Sequence, residues 1–182
     1  MEYGLTDRLT LELNGEFEKE PDEHLRSSKM GVGGRYQFFE QGQYWLDSGL
    51  LLAYGASTHR EEADELEAKL LLEKQWGKTL HRANIGLVQE VGPHAEGGPE
   101  RELLWSSRYL FSNHFEPGFE IQSSFGKANE HPSYNEQEHY IGPAAYGEIM
   151  PGLKYEAAYL LGASDAAAEG AGRVLLEYEF YF

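Results

Sequence analysis

The chain ends in "RVLLEYEFYF", residues 173–182, where Val174, Leu176, Tyr178, Phe180 and Phe182 fall at every second position and Glu177 and Glu179 sit between them. Successive side chains of a strand point to opposite sides, so this stretch carries large hydrophobes on one face and carboxylates on the other. A helix would need its apolar residues three and four apart. The stretch therefore reads as a strand, and the fold turns on which of its two faces meets a packed interior.

Nine further segments alternate in the same way: 8–18, 30–39, 44–56, 66–76, 81–91, 102–111, 118–126, 139–149 and 153–162. Frequent glycine and the i+2 spacing argue against helix in most of them. The stretch "EEADELEAKLLLEK" (61–74) is helix-forming by composition, and only the company of the other segments assigns it to a strand. The pattern predicts an all-β fold, an up-and-down antiparallel β-barrel of about ten strands, as one domain over residues 1–182. Connections alternate in length. Residues 40–43, 77–79, 112–117 and 149–152 are short, whereas 19–29, 57–65, 92–101, 127–138 and 163–172 are longer and mostly acidic. Successive connections of a meander lie at opposite ends of the sheet, so one end is expected to be tight and the other to carry long loops.

Composition narrows the function classes. A chain of 182 residues can bury a sizeable core in one domain. With 31 acidic against 15 basic residues and a formal charge of -16, it is a poor match for nucleic acid. The absence of cysteine rules out disulfides and thiolate metal sites. No apolar run reaches the roughly 18 residues of a transmembrane helix, but a membrane-spanning sheet needs only alternate apolar residues. The opening "MEYGLTDRLT" (1–10) has acidic and polar residues where a secretory leader would be apolar, so an exported protein would be present here in a processed or truncated form.

Aromatic residues are unevenly spread. Phe38, Phe39, Tyr44, Trp45, Trp76, Tyr109, Phe111, Phe115, Phe119, Tyr146, Tyr155, Phe180, Tyr181 and Phe182 gather near the tight end. A hydrophobic core has no reason to collect rings at one end, whereas a membrane-water interface does. The apolar face is thus expected to meet lipid, with Trp45, Trp76, Phe111, Phe180 and Phe182 at the interface. The competing reading is a soluble up-and-down barrel with its apolar face inward.

In its alternating strands, even strand count, short turns at one end, long loops at the other and a last strand finishing on Phe182, the chain resembles a Gram-negative outer-membrane β-barrel protein. The stretch "EYGLTDRLTLEL" (2–13) further resembles a strand end, turn and strand start of the phenol-degradation-pathway, transporter-like outer-membrane barrels. The resemblance implies residence in the cell outer membrane, contact with its lipid and lipopolysaccharide, and recognition of the final strand by the barrel-assembly machinery. It also implies that both chain ends lie at the periplasmic end and that further residues or strands precede the "EYGLTD" turn.

With the apolar residues assigned to lipid, the opposite face becomes the lumen, lined by Glu12, Glu16, Arg35, Lys69, Glu73, Arg82, Asn84, Arg108, Glu120, Glu156, Glu177 and Glu179. Two readings follow. Arg35, Arg82, Arg108, Lys69 and Lys154 bridge neighbouring glutamates and plug a narrow barrel, or unpaired acids line a water-filled, cation-preferring path. The expected function is a channel or transporter-like pore for small solutes with an acidic lumen; the alternatives are a structural barrel with a plugged lumen, an outer-membrane enzyme, or a nanopore scaffold. His131 and His139 in "NEHPSYNEQEHY" (129–140) match no strong metal spacing and read as an exposed loop. His59 with Glu61 and Asp64 is the nearest catalytic constellation, and no Gly-x-Ser-x-Gly elbow is present. No catalytic residue, metal or cofactor is therefore expected.

Overall fold

The computed structural model describes residues 2–18, 26–59 and 62–178, with the side chains of 16–18 and 26–28 left aside. Glu179, Phe180, Tyr181 and Phe182 lie outside the described residues, as do the loop positions His24 and Glu61.

Eleven strands form one antiparallel sheet in chain order: β1 (Glu2–Thr6), β2 (Leu9–Glu18), β3 (Arg26–Gln37), β4 (Asp47–Ser57), β5 (Asp64–Trp76), β6 (Thr79–Val91), β7 (Glu100–Tyr109), β8 (Glu116–Lys127), β9 (Glu138–Met150), β10 (Leu153–Gly162) and β11 (Gly170–Tyr178). The only helical turn among the described residues is a 3₁₀ turn over Tyr134–Glu136. No helix among them is long and apolar enough to cross a membrane, a statement that does not bear on strands. The all-β, up-and-down meander expected from the alternation is observed, including β5, whose composition favours helix. The pairing does not return from β11 to β1 among the described residues, so a meander is what is seen and barrel closure is not part of it.

The count of about ten strands is corrected to eleven. The added strand is β1, which pairs with β2 through Tyr3↔Leu11 and Gly4↔Thr10. Five residues are too few for alternation to stand out in a sequence, and pairing with β2 supplies what periodicity could not.

Turn chemistry explains the short connections. Between β9 and β10, Pro151 precedes Gly152 at φ +84°, a type II pattern in which the glycine tolerates what a side chain would resist. Between β1 and β2, the Thr6 hydroxyl accepts the amides of Arg8 at 3.3 Å and Leu9 at 3.1 Å. The connection expected at 40–43 is longer than its sequence indicates, because β4 begins only at Asp47. Phe38, Phe39, Tyr44 and Trp45 therefore sit in that connection, where Phe39 and Tyr44 meet edge-on at 4.5 Å.

The chain divides into two compact units, one of residues 1–72, 85–101 and 127–130, the other of 73–84, 102–126 and 131–182. In the first, hydrophobes at alternate positions are exposed, among them Leu13 at 56 %, while Glu12 between Leu11 and Leu13 is 5 % exposed. In the second, Phe119 is 43 % exposed and Glu120 beside it only 1 %. The second unit also buries a small apolar cluster of Ala144, Tyr146, Ala158 and Leu160, with Tyr140 against it. Tyr146, one of the aromatics gathered near the tight end, has its ring buried on the same face as Glu120, since even-numbered residues of β9 point to the sheltered side.

Candidate functional site

In each unit the sheltered face carries ion pairs, most of them between strands. In the first unit, Arg35 on β3 stands one register step from Glu12 on β2 (Glu12↔Gly33, Thr10↔Arg35) and reaches its Oε1 at 2.5 Å. The same guanidinium donates to Glu2 Oε1 at 3.1 Å. Lys29 meets Glu65 at 2.5 Å, and Lys69 meets Glu67 on its own strand. Glu16 lies opposite Lys29 in the β2–β3 ladder, which is as far as its placement goes.

In the second unit, Arg82 on β6 bonds Glu73 Oε2 on β5 at 2.5 Å. Arg108 on β7 approaches Glu116 at 3.3 Å and lies over the Tyr146 ring at 5.2 Å. Glu120 accepts the Tyr146 hydroxyl at 2.7 Å and the Arg173 guanidinium, which also reaches Glu156 at 3.3 Å. Lys154 stands in register between Glu148 on β9 and Glu177 on β11. Asn84 is half-buried on β6, two residues beyond Arg82 and on the same face. The described members of the expected lumen set thus occupy one face of the sheet within each unit, and Glu179 lies outside what is described.

Several residues escaped the sequence reading. Arg173 holds the most buried carboxylate, yet nothing in "RVLLEYEFYF" marks its importance beyond sharing parity with Leu175 and Glu177. Glu116 looks like the end of a turn until β8 is seen to begin there. Glu2 belongs to the strand that periodicity could not reveal. His139 is not the exposed loop histidine that its acidic neighbours predict: it is buried, with Nδ1 2.9 Å from the Ser123 hydroxyl, Nε2 3.1 Å from Gln137 Oε1, and its ring stacked on Tyr134 at 4.5 Å.

The loop between β8 and β9 is held by its own small motif. The Ser133 amide donates to Glu136 Oε2 at 2.7 Å and the Ser133 hydroxyl donates to the same oxygen at 2.8 Å. These bonds favour the charged form and hold the Glu136 carboxyl below its ordinary value.

Of the residues expected at an interface, Trp45 in the β3–β4 connection, Trp76 at the end of β5 and Phe111 in the β7–β8 connection are all strongly exposed. Polar groups also occur at outward parity: Ser107 is buried, its hydroxyl accepts the Trp105 indole N–H at 2.9 Å, and it lies 2.7 Å from His81 Nδ1. The three satisfy one another. Compared with known proteins, this chain matches no family model, and no curated protein sequence is similar to it.

Proposed function

We propose that the chain is an integral outer-membrane β-barrel that acts as a narrow, transporter-like pore for small solutes. The observation that carries this is the inverted burial along single strands: Glu12 is sheltered between exposed Leu11 and Leu13, and Glu120 is sheltered beside exposed Phe119. A water-soluble sheet would shelter the leucines and leave the glutamates outside. A sheet bathed in hydrocarbon does the reverse and keeps its charges on the lumen side. Exposed Trp45, Trp76 and Phe111 fit headgroup depth on the same reading. Outer-membrane lipid and lipopolysaccharide would surround the barrel, and the assembly machinery would read its last strand.

A second reading has its own support. The pairing of Arg35, Arg82, Arg108, Arg173 and Lys69 with carboxylates favours a structural barrel whose lumen is closed by side chains. Planar-bilayer recording of the refolded protein separates the two. Discrete conductance with a reversal potential favouring cations supports the pore. A silent bilayer containing folded protein leaves the structural barrel standing, and failure to insert into any bilayer defeats both.

A further inference from the structure

Within the second unit, where β8 and β9 approach their connecting loop, Ser123 stands opposite His139 in the ladder, and its hydroxyl oxygen lies 2.9 Å from the imidazole Nδ1. The hydrogen bonds around the ring fix which nitrogen carries the proton. The Gln137 amide nitrogen donates to the Pro132 carbonyl at 2.8 Å, so the amide turns its Oε1 toward the imidazole, 3.1 Å from Nε2. An amide oxygen only accepts, so Nε2 carries the proton and the neutral ring keeps its lone pair on Nδ1. The Ser123 hydroxyl is then the donor to Nδ1, and the chain of bonds runs in one direction from serine through histidine and glutamine to the Pro132 carbonyl.

The histidine is also held in place. Its backbone amide donates to the Ser164 hydroxyl at 3.0 Å, and that hydroxyl donates to the Gln137 carbonyl at 2.6 Å. Its ring is stacked on Tyr134 at 4.5 Å and meets Phe125 at 5.6 Å. A ring that has taken up a proton keeps every partner: Nδ1–H donates to the serine oxygen, Gln137 still accepts from Nε2, and the Tyr134 face attracts a cation. A hydroxyl within reach of a base, with the base oriented by a third group, is the arrangement that activates a nucleophile. Ser123 is half-buried rather than sealed. Two residues along each strand, and on the same face, Ile121 pairs with Ile141, which is 47 % exposed. An apolar chain laid on these isoleucines would bring its polar end to the serine.

We infer that Ser123 and His139 form a hydrolytic site for carboxylic esters with an apolar acyl chain, with Gln137 and Tyr134 as positioning residues. The site is separate from any conduction pathway and does not require one. Ser123 Oγ attacks the ester carbonyl carbon while its proton passes to Nδ1. The imidazolium returns that proton to the departing alkoxide, the alcohol leaves, and the acyl group stays on Oγ. Water then gives a proton to Nδ1 as its oxygen attacks the acyl carbon; the bond to Oγ breaks, and the proton returns to Oγ. The net change is ester plus water to acid plus alcohol. A positioned general base contributes about 10²–10⁴-fold to such a reaction, which sets the size of the effect to look for.

The test uses the full chain refolded in detergent micelles, with p-nitrophenyl butyrate as substrate and diisopropyl fluorophosphate as a covalent probe. Wild type is expected to hydrolyse the butyrate ester faster than p-nitrophenyl acetate, and to take up one phosphoryl group per chain, which peptide mass mapping places on Ser123. Ser123→Ala should lower the hydrolysis rate at least about 100-fold, whereas Ser124→Ala, on the opposite face of β8, should leave it unchanged. Gln137→Glu places a carboxylate against Nε2–H, so the pH at which the rate is half-maximal should rise, a shift that a merely structural glutamine would not produce. Mapping the probe on wild type needs no variant, which keeps the test decisive if a substitution prevents folding. Folded wild type that takes up no probe, or takes it up evenly over its serines, would overturn the inference. So would a Ser123→Ala rate equal to wild type, or a pH profile unmoved in Gln137→Glu.

Discussion

The guanidinium of Arg173 on β11 lies against the carboxylate of Glu120 on β8, 53 residues earlier in the chain, and Tyr146 on β9 donates its hydroxyl to the same carboxylate. Glu120 is among the most deeply buried side chains, so its charge depends on these partners. Removing one member of a buried pair strands the other.

Glu120→Gln should therefore destabilise the folded protein by about 3–5 kcal/mol. The double change Glu120→Leu with Arg173→Met should recover part of that loss, because the charge then left without its arginine is that of Glu156, which is partly exposed. Urea unfolding in liposomes, followed by tryptophan fluorescence, measures both. A single variant as stable as wild type would show that the carboxylate is hydrated rather than paired.

The bilayer reading makes a neighbouring-residue prediction on β11. Leu176 is 61 % exposed and Leu175 is 47 % exposed, and they point to opposite faces. Leu176→Arg should cost about 2–4 kcal/mol near the bilayer middle, with Leu175→Arg costing less. Folding yield into liposomes ranks them, and equal damage would remove the assignment of faces.

Two glutamates of the expected lumen should behave differently. Glu177 is exposed on β11, whereas Glu12 is sheltered beside Arg35. Glu177→Gln should lower cation over anion selectivity, and more so at low salt, without loss of stability. Glu12→Gln should lose about 1–3 kcal/mol by weakening a charge-assisted contact. Reversal potentials and unfolding curves of the two variants test the contrast.

The loop between β8 and β9 should loosen in acid. Ser133 depresses the pKa of Glu136, so this contribution is fully present above the ordinary carboxylate value and is lost as pH falls through the depressed one. The protonated carboxyl is a weaker acceptor for the Ser133 amide. The protection of that amide against hydrogen exchange, relative to an unstructured amide at the same pH, should fall with falling pH in wild type and show no such transition in Glu136→Gln.

Much of this fold was legible because a two-residue period survives local accidents. Val174, Leu176 and Tyr178 announce β11 from sequence, and Glu12 between Leu11 and Leu13 announces β2. The short β1 escaped the alternation because five residues carry too little periodicity, and only the resemblance of "EYGLTD" to a strand end and turn pointed to it. That cations would bridge glutamates was legible, but the individual partners escaped for a different reason. Parity assigns Arg173, Glu120 and Glu156 to one face, but which carboxylate an arginine reaches depends on register across three strand pairs, and register is set by turns and bulges such as the shift between Leu153 and Lys154. The burial of Tyr146 follows from its parity with Ala144, which is also buried.

The glycines of β3 have one more effect. Gly31, Gly33 and Gly34 leave that strand little hydrophobic shape by which to choose its alignment, and strands of this kind are prone to sliding during assembly. A slip of one residue would turn Arg35 and Lys29 outward among Met30 and Val32 and separate them from Glu12 and Glu65. Arg35 and Lys29 thus act as a proofreading key for alignment: mispaired arrangements of the first unit are penalised electrostatically before they can be locked in, and a strand poor in packing information still finds a single place.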